Sequence, residues 1–102
     1  MARITFHWSS NALSALRTIH DRIAPEMGKR HAKQYIARIR TTARSLKQFP
    51  QRGWVVAEFD DLTIREILHQ AYRIIYRYRE NQVIIMTVFH SSGFLRKEHL
   101  GE

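Results

Sequence analysis

Cysteine is absent from this sequence of 102 residues, which excludes disulfide bonds and thiolate sites. Long apolar runs are absent too, and the N-terminal stretch MARITFHW has no apolar segment typical of a signal peptide. The length suits one hydrophobic core that needs neither a metal nor a disulfide to fold. We therefore expect a single domain, residues 1–102, that is soluble and cytoplasmic.

Metal-binding patterns are missing as well. None of the histidine separations matches the spacing of zinc ligands, and nothing in the sequence indicates a cofactor. We therefore expect neither. The six histidines are His7, His20, His31, His69, His90 and His99.

Acidic residues are scarce. Seventeen Lys and Arg against nine Asp and Glu give a formal net charge of +8, which favours nucleic acid, an acidic protein segment or an anionic membrane surface as a partner. The segment from Gly28 to Gln48 contains no acidic residue but seven basic ones, whose repulsion an anionic partner would relieve. A solvated helix face is the alternative interpretation. The seven are Lys29, Arg30, Lys33, Arg38, Arg40, Arg44 and Lys47.

The first part of the sequence predicts a strand followed by two helices. RITFHW alternates apolar and polar residues, as a half-buried strand does. A helix follows with Ser9 or Ser10 as its N-cap, and we expect Pro25 to end it at Ala24. The second helix has Lys33, Arg40 and Arg44 roughly 80 to 120° from its apolar side. The two helices should form an antiparallel hairpin with this basic stripe outside. The apolar side comprises Ala32, Tyr35, Ile36, Ile39, Ala43 and Leu46.

The second part of the sequence predicts three further strands after a turn at Pro50 and Gly53. Their ranges are Thr63–His69, Tyr72–Arg79 and Gln82–His90, with a tight turn near Glu80 and Asn81. The expected fold class is α+β, in the order β-α-α-β-β-β, with the helical hairpin packed on one face of an antiparallel sheet. Trp54 is expected to pack over the sheet edge.

Arginines dominate one face of the predicted strand Tyr72–Arg79. Period two places four residues on each side, and the aromatic side should face the helices. The sequence offers no further layer to cover the other side, so its arginines should stay solvated or contact a partner. Arg65 and His69 should extend this surface. The alternative is that Arg73 and Arg77 pair with Glu66 or Glu58. The two sides are Tyr72, Ile74, Tyr76 and Tyr78, and Arg73, Ile75, Arg77 and Arg79.

Four segments in this order resemble the RelE/ParE superfamily of toxins from bacterial type II toxin–antitoxin modules, on the ParE-like side. They are WSSNALSALRTIHDRI, AKQYIARIRTTARSLKQFPQRG, TIREILHQAYRIIYRY and VIIMTVFH. The resemblance implies the fold just described, growth arrest, and neutralisation by an acidic-tailed antitoxin that wraps the toxin. Many relatives end in Arg-Asp or a tyrosine-containing tail where this chain reads SSGFLRKEHLGE, so the role of residues 91–102 stays open.

The resemblance also implies two alternative targets. ParE-like members resemble protein inhibitors of DNA gyrase and need no catalytic residues. RelE-like members cleave mRNA on the ribosome with an Arg and a terminal His or Tyr, which Arg73 and His90 match. We favour the gyrase inhibitor, with the ribonuclease as the alternative. A plain DNA-binding module is disfavoured because no helix-turn-helix or ribbon motif is recognisable.

Two sets of contact residues follow from these hypotheses. The antitoxin should cover the basic stripe of the second helix, near Lys33, Arg40 and Arg44. The target should contact the cations of the sheet. These are Arg65, His69, Arg73, Arg77 and Arg79.

Overall fold

The computed structural model of the chain describes residues 3–101. Of the predicted domain of residues 1–102, Met1, Ala2 and Glu102 therefore lie outside the described residues. The strands are β1 Thr5–Trp8, β2 Trp54–Val55, β3 Ile64–His69, β4 Tyr72–Arg79 and β5 Gln82–His90, and the helices are α1 Ser10–Met27 and α2 Lys29–Arg44. Short 3-10 turns lie at Ser45–Lys47 and Lys97–Leu100. The predicted bounds of β4 and β5 are confirmed at both ends.

Helix α1 begins where the sequence predicts. Ser9 is the N-cap, and its Oγ accepts a hydrogen bond from the Ala12 amide at 3.0 Å. The predicted end at Ala24 is wrong, since the helix continues through Pro25 to Met27. Pro25 lies in the last turn, where its missing N–H removes only one backbone bond. Gly28 is the C-cap that ends the helix, and its φ of 91° is a conformation that glycine adopts without strain.

Helix α2 starts immediately after Gly28, so the two helices fold back on each other and pack together. Ala32, Ile39 and Ala43 are buried, and Leu46 in the following 3-10 turn joins the same core. Lys33, Arg40 and Arg44 are exposed. The predicted hairpin with an outer basic stripe is therefore confirmed. No helix among residues 3–101 has the length and apolarity needed to cross a bilayer.

Within residues 3–101 the sheet has five strands in the order β1-β5-β4-β3-β2. The predicted α+β fold is confirmed, with two differences. The two-residue strand β2 is additional, and its Trp54 is 55% exposed at the sheet edge. The pair β1–β5 is parallel, so the sheet is mixed and not wholly antiparallel as predicted, and the helical hairpin carries the chain from β1 at one edge to β2 at the other.

The β4–β5 hairpin has a tight turn and a bulge. Glu80 and Asn81 both have positive φ, as a type I′ turn requires, and this defines the turn type that the sequence left open. Ile75 lies opposite Thr87 whereas Tyr76 lies opposite Ile85, so Met86 is an extra residue in β5. The bulge allows Ile85 and Val88 to face the same core although they are three residues apart.

Both faces of the sheet are covered. The main core lies between the sheet and the helical hairpin, around Ile39, Ile74 and Tyr76. A second, smaller core lies on the other face. The expectation that this face has no second layer is therefore wrong, because apolar residues from the loop after β2 and from the C-terminal segment cover it. This second core comprises Val56, Ile64, Ile75, Met86, Leu95 and Leu100, with Phe59 and Phe89 against it.

Candidate functional site

The predicted cationic surface of the sheet is divided between its two faces. Arg65 lies opposite Tyr76 and His69 opposite Tyr72, so both are on the helix side. Arg73 lies opposite Leu68 and is on the other side, together with Arg77. The expectation that Arg65 and His69 extend the surface of Arg73 and Arg77 is therefore wrong. The two-residue connection after His69 fixes this register, and it was the signal that could have indicated it.

Arg65 and His69 both make contacts within the fold. Arg65 Nη1 donates to the carbonyl of Gly53 at 2.7 Å and holds the turn before β2. The Nδ1 atom of His69 is 2.9 Å from Thr42 Oγ1, and its ring lies edge-on to Tyr35. Burial lowers the pKa of His69, and Arg38 acts in the same direction. The contacts of His69 connect β3 to α2.

Arg73 lies between two carboxylates. Its Nε and Nη2 donate to Glu66 at 2.7 and 2.9 Å, and its Nη1 and Nη2 donate to Glu58 at 2.6 and 2.9 Å. The Arg73 side chain is 12% exposed, and Glu66 is buried. Hydrogen bonding to Arg73 lowers the pKa of Glu58, and the two carboxylates raise the pKa of Arg73. The alternative prediction for Arg73, that it pairs with Glu66 or Glu58, is therefore confirmed.

Arg77 lies four residues after Arg73 on the same face of β4 and contacts the same loop. Its Nη2 donates to Asp61 Oδ2 at 3.2 Å and its Nε to Thr63 Oγ1 at 3.1 Å. The Thr63 hydroxyl and amide hydrogen bonds, and then Arg77, lower the pKa of Asp61. Arg73 and Arg77 therefore hold the loop between β2 and β3 against the sheet. Arg79, at the end of β4, is exposed.

The two candidate catalytic residues point to opposite faces of the sheet. Arg73 lies opposite Phe89 of β5, and because side chains alternate along a strand, His90 faces the other way. The His90 ring lies edge-on to Tyr72 at 5.2 Å on the helix side, and its Nδ1 accepts a hydrogen bond from the Ser92 amide at 3.1 Å. The structure does not bring Arg73 and His90 together.

A groove of about 680 Å³ lies next to His90, between α1 and the C-terminal segment. Its α1 wall includes Ser14, Thr18 and Arg22, which recur every four residues and so share one helix face. His99 lies on the opposite wall. The sequence patterns did not predict this groove. The four-residue spacing of polar residues on α1 was the one available signal, and it does not identify the opposite wall.

A second groove, of about 580 Å³, lies on the outer side of the helical hairpin. Its apolar lining consists of Leu13, Leu16 and Ile36, and Lys33 and Arg40 are among its charged residues. The Arg40 guanidinium lies 5.2 Å from the centre of the Trp8 ring, in cation–π contact with β1. Two of the three residues predicted to contact an antitoxin therefore border an apolar groove.

Comparisons with known proteins give a family and two structural relatives. The sequence matches the model of the ParE toxin of the type II toxin–antitoxin system parDE over residues 6–93. No curated protein sequence matches the chain significantly. The chromosomal ParDE toxin–antitoxin system from P. aeruginosa has a TM-score of 0.75 at 17% identity, covering 86% of this chain and 96% of that one. The toxin–antitoxin complex RelBE2 from Mycobacterium tuberculosis has a TM-score of 0.63 at 20% identity, covering 87% and 99%. These two similarities establish the fold.

Proposed function

Since the chain belongs to the ParE toxin family of type II toxin–antitoxin systems, we propose that it arrests growth by binding DNA gyrase and inhibiting it, without catalysing a reaction itself. The family resemblance read from the sequence is confirmed by the match over residues 6–93. ParE-like toxins resemble inhibitors that act through a binding surface, and such a surface needs no acid–base residues.

The separation of Arg73 from His90 is the observation that carries this proposal. Cleavage of RNA by its own 2′-hydroxyl needs a base, an acid and a cation around one phosphate. Here the Arg73 guanidinium is bound to Glu58 and Glu66, and His90 lies on the other face of the sheet. This arrangement favours an inhibitor over a RelE-like ribonuclease.

Contacts within the fold also change which of the predicted target-binding residues we expect to contact the target. Arg65, His69, Arg73 and Arg77 all have partners within the fold, whereas Arg79 is exposed at the end of β4. We propose that Arg79 contacts the target directly and that the other four support the sheet that presents it.

His90→Gln separates the two mechanisms. We expect the purified variant to retain most inhibition of gyrase supercoiling, because no proton transfer is required of His90. In a ribonuclease the same change should reduce cleavage by about 10² to 10⁴. The measurements are DNA supercoiling by gyrase and cleavage of ribosome-bound mRNA, each with the wild type and the variant.

His7→Gln is the matched control, because His7 is exposed on β1 and lies beside Ile84, six residues before His90 on β5. Both variants must first unfold at the same denaturant concentration as the wild type. Codon-phased cleavage of ribosome-bound mRNA that disappears in His90→Gln, with gyrase unaffected, would contradict the proposal and establish the ribonuclease.

We further propose that an antitoxin with an acidic segment neutralises the toxin by covering the outer groove of the helical hairpin. Lys33 and Arg40 border its apolar lining, and Arg44 follows Arg40 by one helical turn. An amphipathic helix with acidic flanks would bury its apolar side in this groove. The same antitoxin could also add a strand along the edge of the sheet.

Reversing charges on the stripe should slow antitoxin binding. Lys33→Glu with Arg44→Glu removes two cations but leaves the Arg40–Trp8 contact intact. We expect the association rate to fall and its salt dependence to flatten, since charge complementarity acts mainly on encounter. Stopped-flow mixing with the antitoxin encoded beside the toxin gene measures both quantities.

Arg79→Glu with Arg96→Glu changes the net charge equally on exposed residues outside the two helices. This control should slow association less than the stripe variant. Equal effects of the two double variants would mean that only the overall charge matters and that the stripe is merely solvated.

A further inference from the structure

The groove beside His90 exists because β1 is shorter than β5. Strand β1 pairs with Gln82 to Ile85 only, so no strand among the described residues covers that edge of β5 further along. Ser9 and Asn11 side chains hydrogen-bond the carbonyl of Met86 at this point. Beyond Met86 the edge is left open, and α1 and the C-terminal segment form the walls.

Two imidazoles in this groove are held in one tautomer. Nδ1 of His90 accepts a hydrogen bond from the Ser92 amide at 3.1 Å and lies 2.7 Å from the Ser92 hydroxyl, and Nδ1 of His99 accepts one from the Arg96 amide at 2.9 Å. A backbone N–H can only donate, so each neutral ring carries its hydrogen on Nε2. Both rings line the groove. Contacts of the rings with Tyr72 and Phe89 fix their orientations.

The α1 wall adds a permanent cation and the Ser14 hydroxyl, whereas the Thr18 hydroxyl donates to the Ser14 carbonyl at 3.2 Å. Arg22 is exposed and has no acidic partner among residues 3–101, while Ser14 and Thr18 precede it by two turns and one turn on the same face. Arg22 therefore stands in the groove with the two imidazole N–H groups. A guanidinium, ring N–H donors and a hydroxyl are groups that bind phosphate oxygens.

The groove is larger than a phosphate group requires, and part of its lining is apolar. Ile19, Val88 and the Phe89 ring contribute that part, and Glu98 offers a carboxylate that can accept hydrogen bonds from hydroxyl groups. From these groups together we infer that the groove binds a phosphate monoester of nucleoside monophosphate type. Its phosphate meets Arg22 and the Nε2 atom of His90, and its organic part lies on the apolar lining towards His99. This inference is independent of gyrase inhibition, since it concerns binding to the toxin alone.

Titration of the full-length toxin with adenosine monophosphate tests the inference, with inorganic phosphate and adenosine as separate probes. Nitrogen NMR of isotope-labelled histidine reports the ring nitrogens, and the free protein should show the Nε2–H tautomer at His90 and His99. Adenosine monophosphate should shift both rings and bind more tightly than inorganic phosphate or adenosine. Equal affinity for adenosine monophosphate and inorganic phosphate would overturn the monoester assignment.

Arg22→Gln should weaken binding about tenfold or more, because it removes a donor to the charged phosphate. His99→Gln should weaken binding less, because His99 contacts the organic part of the ligand. Arg17→Gln is the matched control, since Arg17 is an exposed arginine of α1 that borders the outer hairpin groove instead. It should leave the affinity unchanged. An equal loss in Arg17→Gln and Arg22→Gln, or the absence of any histidine shift with adenosine monophosphate, would overturn the inference.

Discussion

Arg73→Ala is expected to lower the free energy of unfolding by about 3–5 kcal/mol, because it leaves a buried carboxylate without its cation. Glu66 is 5% exposed, and both of its oxygens accept hydrogen bonds from Arg73. Urea denaturation followed by circular dichroism measures the change. Arg79→Ala, on the same strand but exposed, should change the stability by no more than about 0.5 kcal/mol.

The same ion-pair cluster should give an acid-side loss of stability. Arg73 lowers the pKa of Glu58 in the folded state, so the pair contributes stability above the ordinary Glu pKa. That contribution is lost as the pH falls through the lowered folded-state pKa. The acid-side loss should therefore be shallower in Arg73→Ala than in Arg79→Ala, and identical pH profiles would contradict the ion-pair assignment.

A loss of toxicity in Arg73→Ala would therefore be explained by unfolding and would not by itself show that a target contact is missing. Growth arrest by Arg73 variants is informative only where the folded fraction has been measured. Arg79→Ala should leave the stability nearly unchanged, so it is the better probe of target contact. If Arg73→Ala proves as stable as Arg79→Ala, the arginine is free to serve a partner and the structural role assigned to it is wrong.

Leu100→Ala is expected to destabilise the protein by about 2–5 kcal/mol, as truncation of a buried leucine generally does. Leu100 is 4% exposed and packs with Leu95 and Met86 on the sheet face opposite the helices. Thermal or urea unfolding measures the effect.

Phe94→Ala is the control for Leu100→Ala, because Phe94 belongs to the same C-terminal segment but is 85% exposed. It should change the stability by about 0.5 kcal/mol or less. If the two truncations have equal effects, the C-terminal segment does not form part of the core. A large effect of Leu100→Ala alone would give residues 91–101 a structural role, a question that the sequence left open.

The strongest sequence patterns predicted the fold. Strands β4 and β5 combine apolar and aromatic residues over eight and nine residues, and their bounds were predicted at both ends. Strand β2 has only two residues, too few to show a period. Pro25 did not end α1, because a proline in the last helical turn removes only one backbone hydrogen bond.

The site was predicted less well, since it depends on which residues meet across the sheet. The exposure of Lys33, Arg40 and Arg44 follows from helix periodicity alone, and it was predicted. The pairing of Arg73 with Glu58 requires the position of a loop that has no period of its own. The groove beside His90 forms only because the C-terminal segment packs near α1, and no local sequence pattern indicates this.

The parallel pair β1–β5 affects the order in which this chain can fold during synthesis. Thr5 pairs with Gln82 and Trp8 with Ile85, so the first strand to leave the ribosome must wait for the last one. The second core also needs Leu100. Contacts between such distant residues form late because a long loop must close first. A nascent chain therefore cannot complete its sheet until nearly all of it has been translated, and a ribosome stalled before Gln82 would carry an incomplete toxin.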